Sequence, residues 1–182
     1  MKPIHFAIAT LFALTACLPD DVTDGAPLDT SEPVDTSDTS QDTSQDTEQS
    51  EEGIQGAWRS EGADLAPLLV DVFGFNQVDA RFKGDGSYTV DAVADDGKTY
   101  AFAGTYTVGT GTTPHTIVLS QTSPSTATAE GIYRVQEGVL TYEVVQTQPD
   151  FGFTPPTPQS GFGSTQGEGI APDSNVQVYR RP

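Results

Sequence analysis

The chain has 182 residues, eight Lys plus Arg against twenty-six Asp plus Glu, a formal net charge of −18 and one cysteine. That length limits it to one sizeable domain with attached segments, and so acidic a chain has too few cations to neutralise a phosphate backbone, which excludes nucleic acid as a partner class. One cysteine and two histidines exclude an intramolecular disulfide, a Cys-based zinc cluster and a multi-His metal site, so neither metal nor cofactor is expected.

Residues 1–16 have the three zones of an export signal: positive Lys2, an apolar run from Ile4 to Ala13, and small residues before Cys17. The run is too short to span a hydrocarbon core of about 30 Å, which needs about 20 residues. Leu14-Thr15-Ala16-Cys17 resembles a bacterial lipobox. The resemblance implies diacylglyceryl modification of the Cys17 thiol, cleavage before it and acylation of the freed amine. Several acyl chains give stable membrane attachment where one short chain is marginal. Leu18 replaces the Asp that resembles an inner-membrane retention signal. The expected location is therefore the cell envelope of a diderm bacterium, lipid-anchored at the outer membrane.

Residues 17–53 read as a tether. From Leu18 to Gly53 there are twelve acidic residues and no Lys, Arg, Ile or aromatic residue, and Asp-Thr-Ser recurs at Asp29, Asp35, Asp38 and Asp42. Such a segment buries too little apolar surface to offset the entropy of ordering, so disorder is expected. Its random-coil span is about 30–36 Å.

Residues 54–182 carry seven basic and fourteen acidic residues and a hydrophobic pattern of period two, which predicts an all-β domain. Strands are expected at Ala57–Glu61, Gln77–Lys83, Ser87–Ala94, Thr99–Val108, Thr116–Thr122, Gly131–Gln136, Val139–Gln146 and Asn175–Arg181. A short helix is expected at Ala63–Phe73, with Pro67 in its first turn. Gly84-Asp85-Gly86, Asp95-Asp96-Gly97 and Gln136-Glu137-Gly138 supply the turn conformers of short hairpins. Sequential hairpins give an antiparallel up-and-down meander, and eight strands most economically lose their edges by closing into a barrel.

Gly56-Ala57-Trp58 opening the first strand, the short helix, hairpins such as Phe82–Tyr88 and an arginine-bearing last strand resemble a bacterial lipocalin-like domain. The resemblance implies a β-barrel whose floor is closed by Trp58, packed against Arg180 or Arg181. The second lipocalin signature, Thr-Asp-Tyr, is absent, and Lys98-Thr99-Tyr100 is the nearest approach to it.

Catalytic chemistry finds little support. His115 falls in a turn-rich stretch and reads as a surface-loop histidine, no Gly-x-Ser-x-Gly elbow exists, and Asp85, Asp95 and Asp96 fall in turns where Asp bonds its own backbone. The chain is expected not to be an enzyme. Gln146–Pro172 is long for a connection, with five prolines and the phenylalanines Phe151, Phe153 and Phe162; it is either a plug over one barrel end or an element that contacts a partner. The expectation is a monomeric lipid-anchored module. Its barrel binds a small apolar or amphipathic ligand among Tyr88, Tyr100, Phe102, Tyr106 and Tyr142, or else is filled by those side chains and serves to contact a cell-envelope protein or glycan.

Overall fold

The computed structural model describes residues 53–182. The export signal, Cys17 and the acidic tether up to Glu52 lie outside them. Eight strands follow in chain order: β1 (Gly56–Glu61), β2 (Phe75–Phe82), β3 (Ser87–Ala94), β4 (Thr99–Gly109), β5 (His115–Ser123), β6 (Ala127–Gln136), β7 (Val139–Gln148) and β8 (Gln177–Arg180). Each pairs antiparallel with its neighbours in sequence, and β1 pairs with β8, so the sheet is a closed up-and-down barrel. This is the all-β architecture that the alternation predicted.

Between β1 and β2 a 3-10 turn at Gly62–Asp64 leads to the one α-helix among the described residues, α1 (Pro67–Phe73). The helix is shorter than expected. A proline disfavours helical backbone in the residue before it, and Leu65 and Ala66 are extended, so the helix can begin only at Pro67. It ends at Gly74, whose left-handed conformation lets its N–H reach the Leu69 and Val70 carbonyls.

Strand bounds differ from expectation mostly where the pattern is silent. β6 begins four residues early because Ala127, Thr128, Ala129 and Glu130 pair fully without an apolar alternation to announce them. β8 is shorter than Asn175–Arg181: Val176 N–H bonds the Asp173 carbonyl in a turn, and Asn175 spends its side chain on the Val144 carbonyl. The expected turns form as their residues dictate. Asp85 Oδ1 accepts from the Ser87 N–H and hydroxyl at 2.9 and 2.6 Å, and Asp96 Oδ1 accepts from the Lys98 N–H at 3.0 Å. Glu137 and Gly138, both at positive φ, make the two-residue turn whose twist suits a hairpin between β6 and β7.

One end of the barrel carries the entry of β1, the turns at 83–86, 110–114 and 137–138, and the end of β8; this is the floor. The other end, the mouth, carries α1, the turns at 95–98 and 124–126, and the long connection 149–176. Trp58 closes the floor from inside. It is 1% exposed, its Nε1 donates to the Ile54 carbonyl at 2.6 Å, and the Arg181 guanidinium lies 3.8 Å from its ring centroid. Strand parity selects Arg181. Arg180 pairs opposite Arg59 on the outer wall and binds Asp64 at 2.7 Å, so the next residue along turns under the floor. Gly56 is needed for this approach: it has φ of 122°, and a Cβ there would overlap the Arg181 guanidinium.

Trp58→Ala should therefore lower unfolding free energy by about 3–5 kcal/mol, the range for truncating a buried large aromatic. Arg181→Ala should lower it by about 0.5–1 kcal/mol, the worth of an exposed cation–π pair. Urea unfolding of the two variants checks the ranking; equal effects would mean that Trp58 does not anchor the floor.

Candidate functional site

The inward positions sort by size along the barrel axis. Towards the floor stand Trp58, Phe82, Tyr88, Tyr106, Tyr133, Tyr142 and Tyr179, all buried. Their rings touch across the barrel: Phe82 of β2 lies 5.2 Å from Tyr106, 6.2 Å from Tyr88 and 6.3 Å from Tyr142 of β7, and Tyr142 meets Tyr179 edge-on at 6.0 Å. The Tyr106 hydroxyl donates to the Lys83 carbonyl at 2.8 Å, fixing the block to the floor turn. Towards the mouth the inward positions are mixed: Ser60, Ala92, Ala94 and Ala129 are small, Val90, Val144, Tyr100 and Phe102 are half-buried, and Val78 and Leu119 are buried aliphatic side chains beside Ala92 and Ala129. Phe75 sits between them and α1, 5.6 Å from Tyr100 and 5.7 Å from Phe73.

The five candidate ligand residues thus fall into two groups. Tyr88, Tyr106 and Tyr142 belong to the packed floor block, whereas Tyr100 and Phe102 line the mouth half. Alternation places all five on one face; their depth follows from strand stagger, which periodicity does not carry. Val90, Ala129 and Val144, which complete the mouth half, were not singled out by the sequence because small aliphatic residues on a strand are also what any core contains.

Burial decides the chemistry of the floor block. It raises the phenol pKa values, that of Tyr88 to about 12 and those of Tyr142 and Tyr179 well above the ordinary value near 10, because a phenolate has no solvation there. These phenols therefore keep their protons to higher pH than exposed tyrosines do. Two polar atoms of the interior, Ser60 Oγ and Gln177 Nε2, are buried without a hydrogen-bond partner.

The long connection does not act through the barrel interior at its best-anchored point. The register that faces Tyr133 with Tyr142, and Val135 with Leu140, inside the barrel puts Ile132, Arg134 and Glu143 on the outer wall. Outer-wall residues are normally wet, yet Ile132 is 0% and Glu143 1% exposed. They are covered by residues 162–165, a strap across β6 and β7. The Glu143 carboxylate accepts from Gly163 N–H at 2.6 Å, from Thr165 N–H at 2.9 Å and from the Thr165 hydroxyl at 2.5 Å. Phe162 lies under the Arg134 guanidinium at 5.7 Å. Of the other phenylalanines of the long connection, Phe153 packs over Gly167, where a Cβ would overlap its ring, and Phe151 stays 44% exposed. Glu143 escaped the sequence reading because an acidic residue at an outward strand position looks like ordinary solvated surface.

His115 is not a loop residue: it opens β5, half-buried, with its ring 5.3 Å from that of Tyr133. Asp85, Asp95 and Asp96 are turn residues. Among the described residues no group of three or more His, Cys, Asp or Glu is placed to hold a metal ion, and no helix is long and apolar enough to cross a membrane. The chain matches no known family model, no curated protein and no solved structure.

Two outcomes follow from this geometry. Glu143→Ala leaves two strap N–H groups without their anionic acceptor and should cost about 1.5–3 kcal/mol; limited proteolysis should then cut between residues 157 and 167, and an uncut strap would show that Glu143 does not hold it. Above pH 10 the unfolded tyrosines release protons that the folded ones retain, so stability falls as pH rises through the raised pKa values. Absorbance at 295 nm should show Tyr88, Tyr142 and Tyr179 ionising only as the barrel unfolds, between about pH 10 and 12 or above. Reversible ionisation of all six tyrosines near pH 10, with the fold intact, would contradict the packed floor.

Proposed function

We propose that the protein is a non-enzymatic cell-envelope lipoprotein, attached through lipid on Cys17 to the outer membrane of a diderm bacterium, whose barrel takes a small apolar or amphipathic ligand in its mouth half. Tyr100, Phe102, Val90, Ala129 and Val144 would contact that ligand. The observation carrying this reading is the difference in burial between the two halves: rings packed across the floor are buried, while the inward Val90, Tyr100, Phe102, Ala129 and Val144 of the mouth half are only partly so. Ligand sites are concave and mostly apolar with few polar groups, which is the composition of that end.

A second reading has its own support. The contact of Phe82 with Tyr142 joins walls three strands apart through the shorter way round the barrel, and a barrel filled along its whole length would act through its outside. In that case exposed Phe151 on the long connection is the contact point for a cell-envelope protein or glycan.

Titration of the full-length protein with N-phenyl-1-naphthylamine separates the two. Under the first reading the dye gains fluorescence with micromolar affinity, Phe102→Ala weakens it about tenfold, as loss of a ring's contact area in an apolar site would, and Phe151→Ala leaves it unchanged. Cys17→Ser should abolish partition into detergent without touching dye affinity. A barrel that binds no dye while remaining folded would favour the second reading.

A further inference from the structure

Ser60 and Gln177 define a polar spot on an otherwise apolar inner wall. Ser60 faces Val78 on one side, and the register that sets Arg59 opposite Arg180 sets Ser60 opposite Tyr179 on the other. Gln177 is one inward position further along β8, opposite Tyr142. The two side chains are therefore diagonal neighbours across the β1–β8 seam, roughly 7 Å apart by strand geometry, at the mouth-side edge of the aromatic block, level with Tyr179 and Tyr142. They are 0% and 5% exposed, and Ser60 Oγ and Gln177 Nε2 lack any hydrogen-bond partner. Native interiors satisfy nearly all such groups, since an unpaired buried donor bears its full desolvation cost.

We infer that this pair is the polar subsite of the mouth-half ligand, and that it selects a neutral oxygen, a hydroxyl or a carbonyl, at one end of an apolar body. The inference rests on the ligand-binding reading above and adds the ligand's chemical class. Gln177 Nε2 can only donate and Ser60 Oγ can donate or accept, so the group that meets both is an acceptor. The acceptor is uncharged because no cation faces it. Arg59 and Arg180 turn outward to Asp79 and Asp64, and Arg181 is spent on Trp58 and the Gln55 carbonyl. The inner neighbours Val78, Tyr142 and Tyr179 are neutral, and a carboxylate buried there would have no counter-ion. The apolar body would extend from the seam past Ala92, Ala129 and Val144 towards the mouth.

Displacement of N-phenyl-1-naphthylamine from the full-length protein by 1-octanol, octane and octanoate at pH 7 tests this. Apolar burial alone ranks octane first. With the polar subsite, 1-octanol displaces the dye at about fivefold lower free concentration than octane, the factor that one net hydrogen bond supplies, and octanoate is the weaker of the two oxygen ligands. Ser60→Ala and Gln177→Met should each remove the octanol advantage while leaving octane unchanged, and the unchanged octane value reports an intact barrel. Octane equal to octanol in the wild type would mean that the pair holds an internal water only and would overturn the proposal, as would octanoate binding best. Absence of dye binding would remove the ligand-binding reading and this inference with it; dye binding without the octanol preference would remove this inference alone.

Discussion

Everything in this domain depends on closing the sheet between β1 and β8. Without that seam, eight strands would leave two long unpaired edges, each a template for pairing with another chain. β8 supplies only four residues to the task, too few ladder bonds to hold a barrel shut on their own. The seam is fastened by what surrounds it. Arg180 reaches outward to Asp64 in the 3-10 turn after β1, Arg181 lies beneath Trp58 and donates to the Gln55 carbonyl, and Tyr179 packs inward on Tyr142. Three consecutive residues thus grip three different parts of the domain, and each is aimed by the simple alternation of a strand.

The interior divides its labour along the axis. A barrel of eight strands is just wide enough for side chains to fill, and the floor half is filled by rings that meet in stacked, tilted and edge-on geometries. The mouth half combines small buried residues such as Ser60, Ala92 and Ala94 with the half-buried Val90, Tyr100, Phe102 and Val144, so part of its inward surface forgoes the contacts a closed core would make. The strap then adds packing on the outside: by covering Ile132 and Glu143 it turns two residues of the outer wall into a second buried layer. Its anchor is polar, so the strap is positioned by a charge-assisted network in place of an apolar seam.

Much of this was legible in the sequence, for identifiable reasons. The alternation of Tyr100, Phe102 and Tyr106, and of Leu140, Tyr142 and Val144, fixed which residues share a face, and the Asp and Gly turns fixed which strands are neighbours; together these dictate a meander that closes. What was illegible needed information that is not local. Whether Arg180 or Arg181 meets Trp58 turns on the parity of β8, which is set by its register with β1. Whether Tyr88 lies deeper than Phe102 turns on stagger. The strap's path across β6 and β7 is a tertiary fact, and Glu143 looks like solvent-facing surface until Gly163 and Thr165 are laid over it. α1 shows the same limit at short range: Leu65, Leu68, Leu69 and Val72 recur at helical spacing, but Pro67 sets the start later and leaves Leu65 as an extended core residue, with Val72 45% exposed.

The described chain enters and leaves the barrel at the same end, the floor. Strands of eight to eleven residues such as β2, β3 and β4, tilted as barrel strands are, give a wall about 20–25 Å tall. Whatever precedes Gly53 is thus joined at the pole opposite the mouth. The domain has a head and a stem: the stem is where Trp58 and Arg181 seal the fold, and the head, with α1 and the start of the long connection, lies at the pole farthest from Gly53. A pull applied at Gly53 loads Gly56 and the floor first, leaving the mouth the part of the barrel farthest from the load.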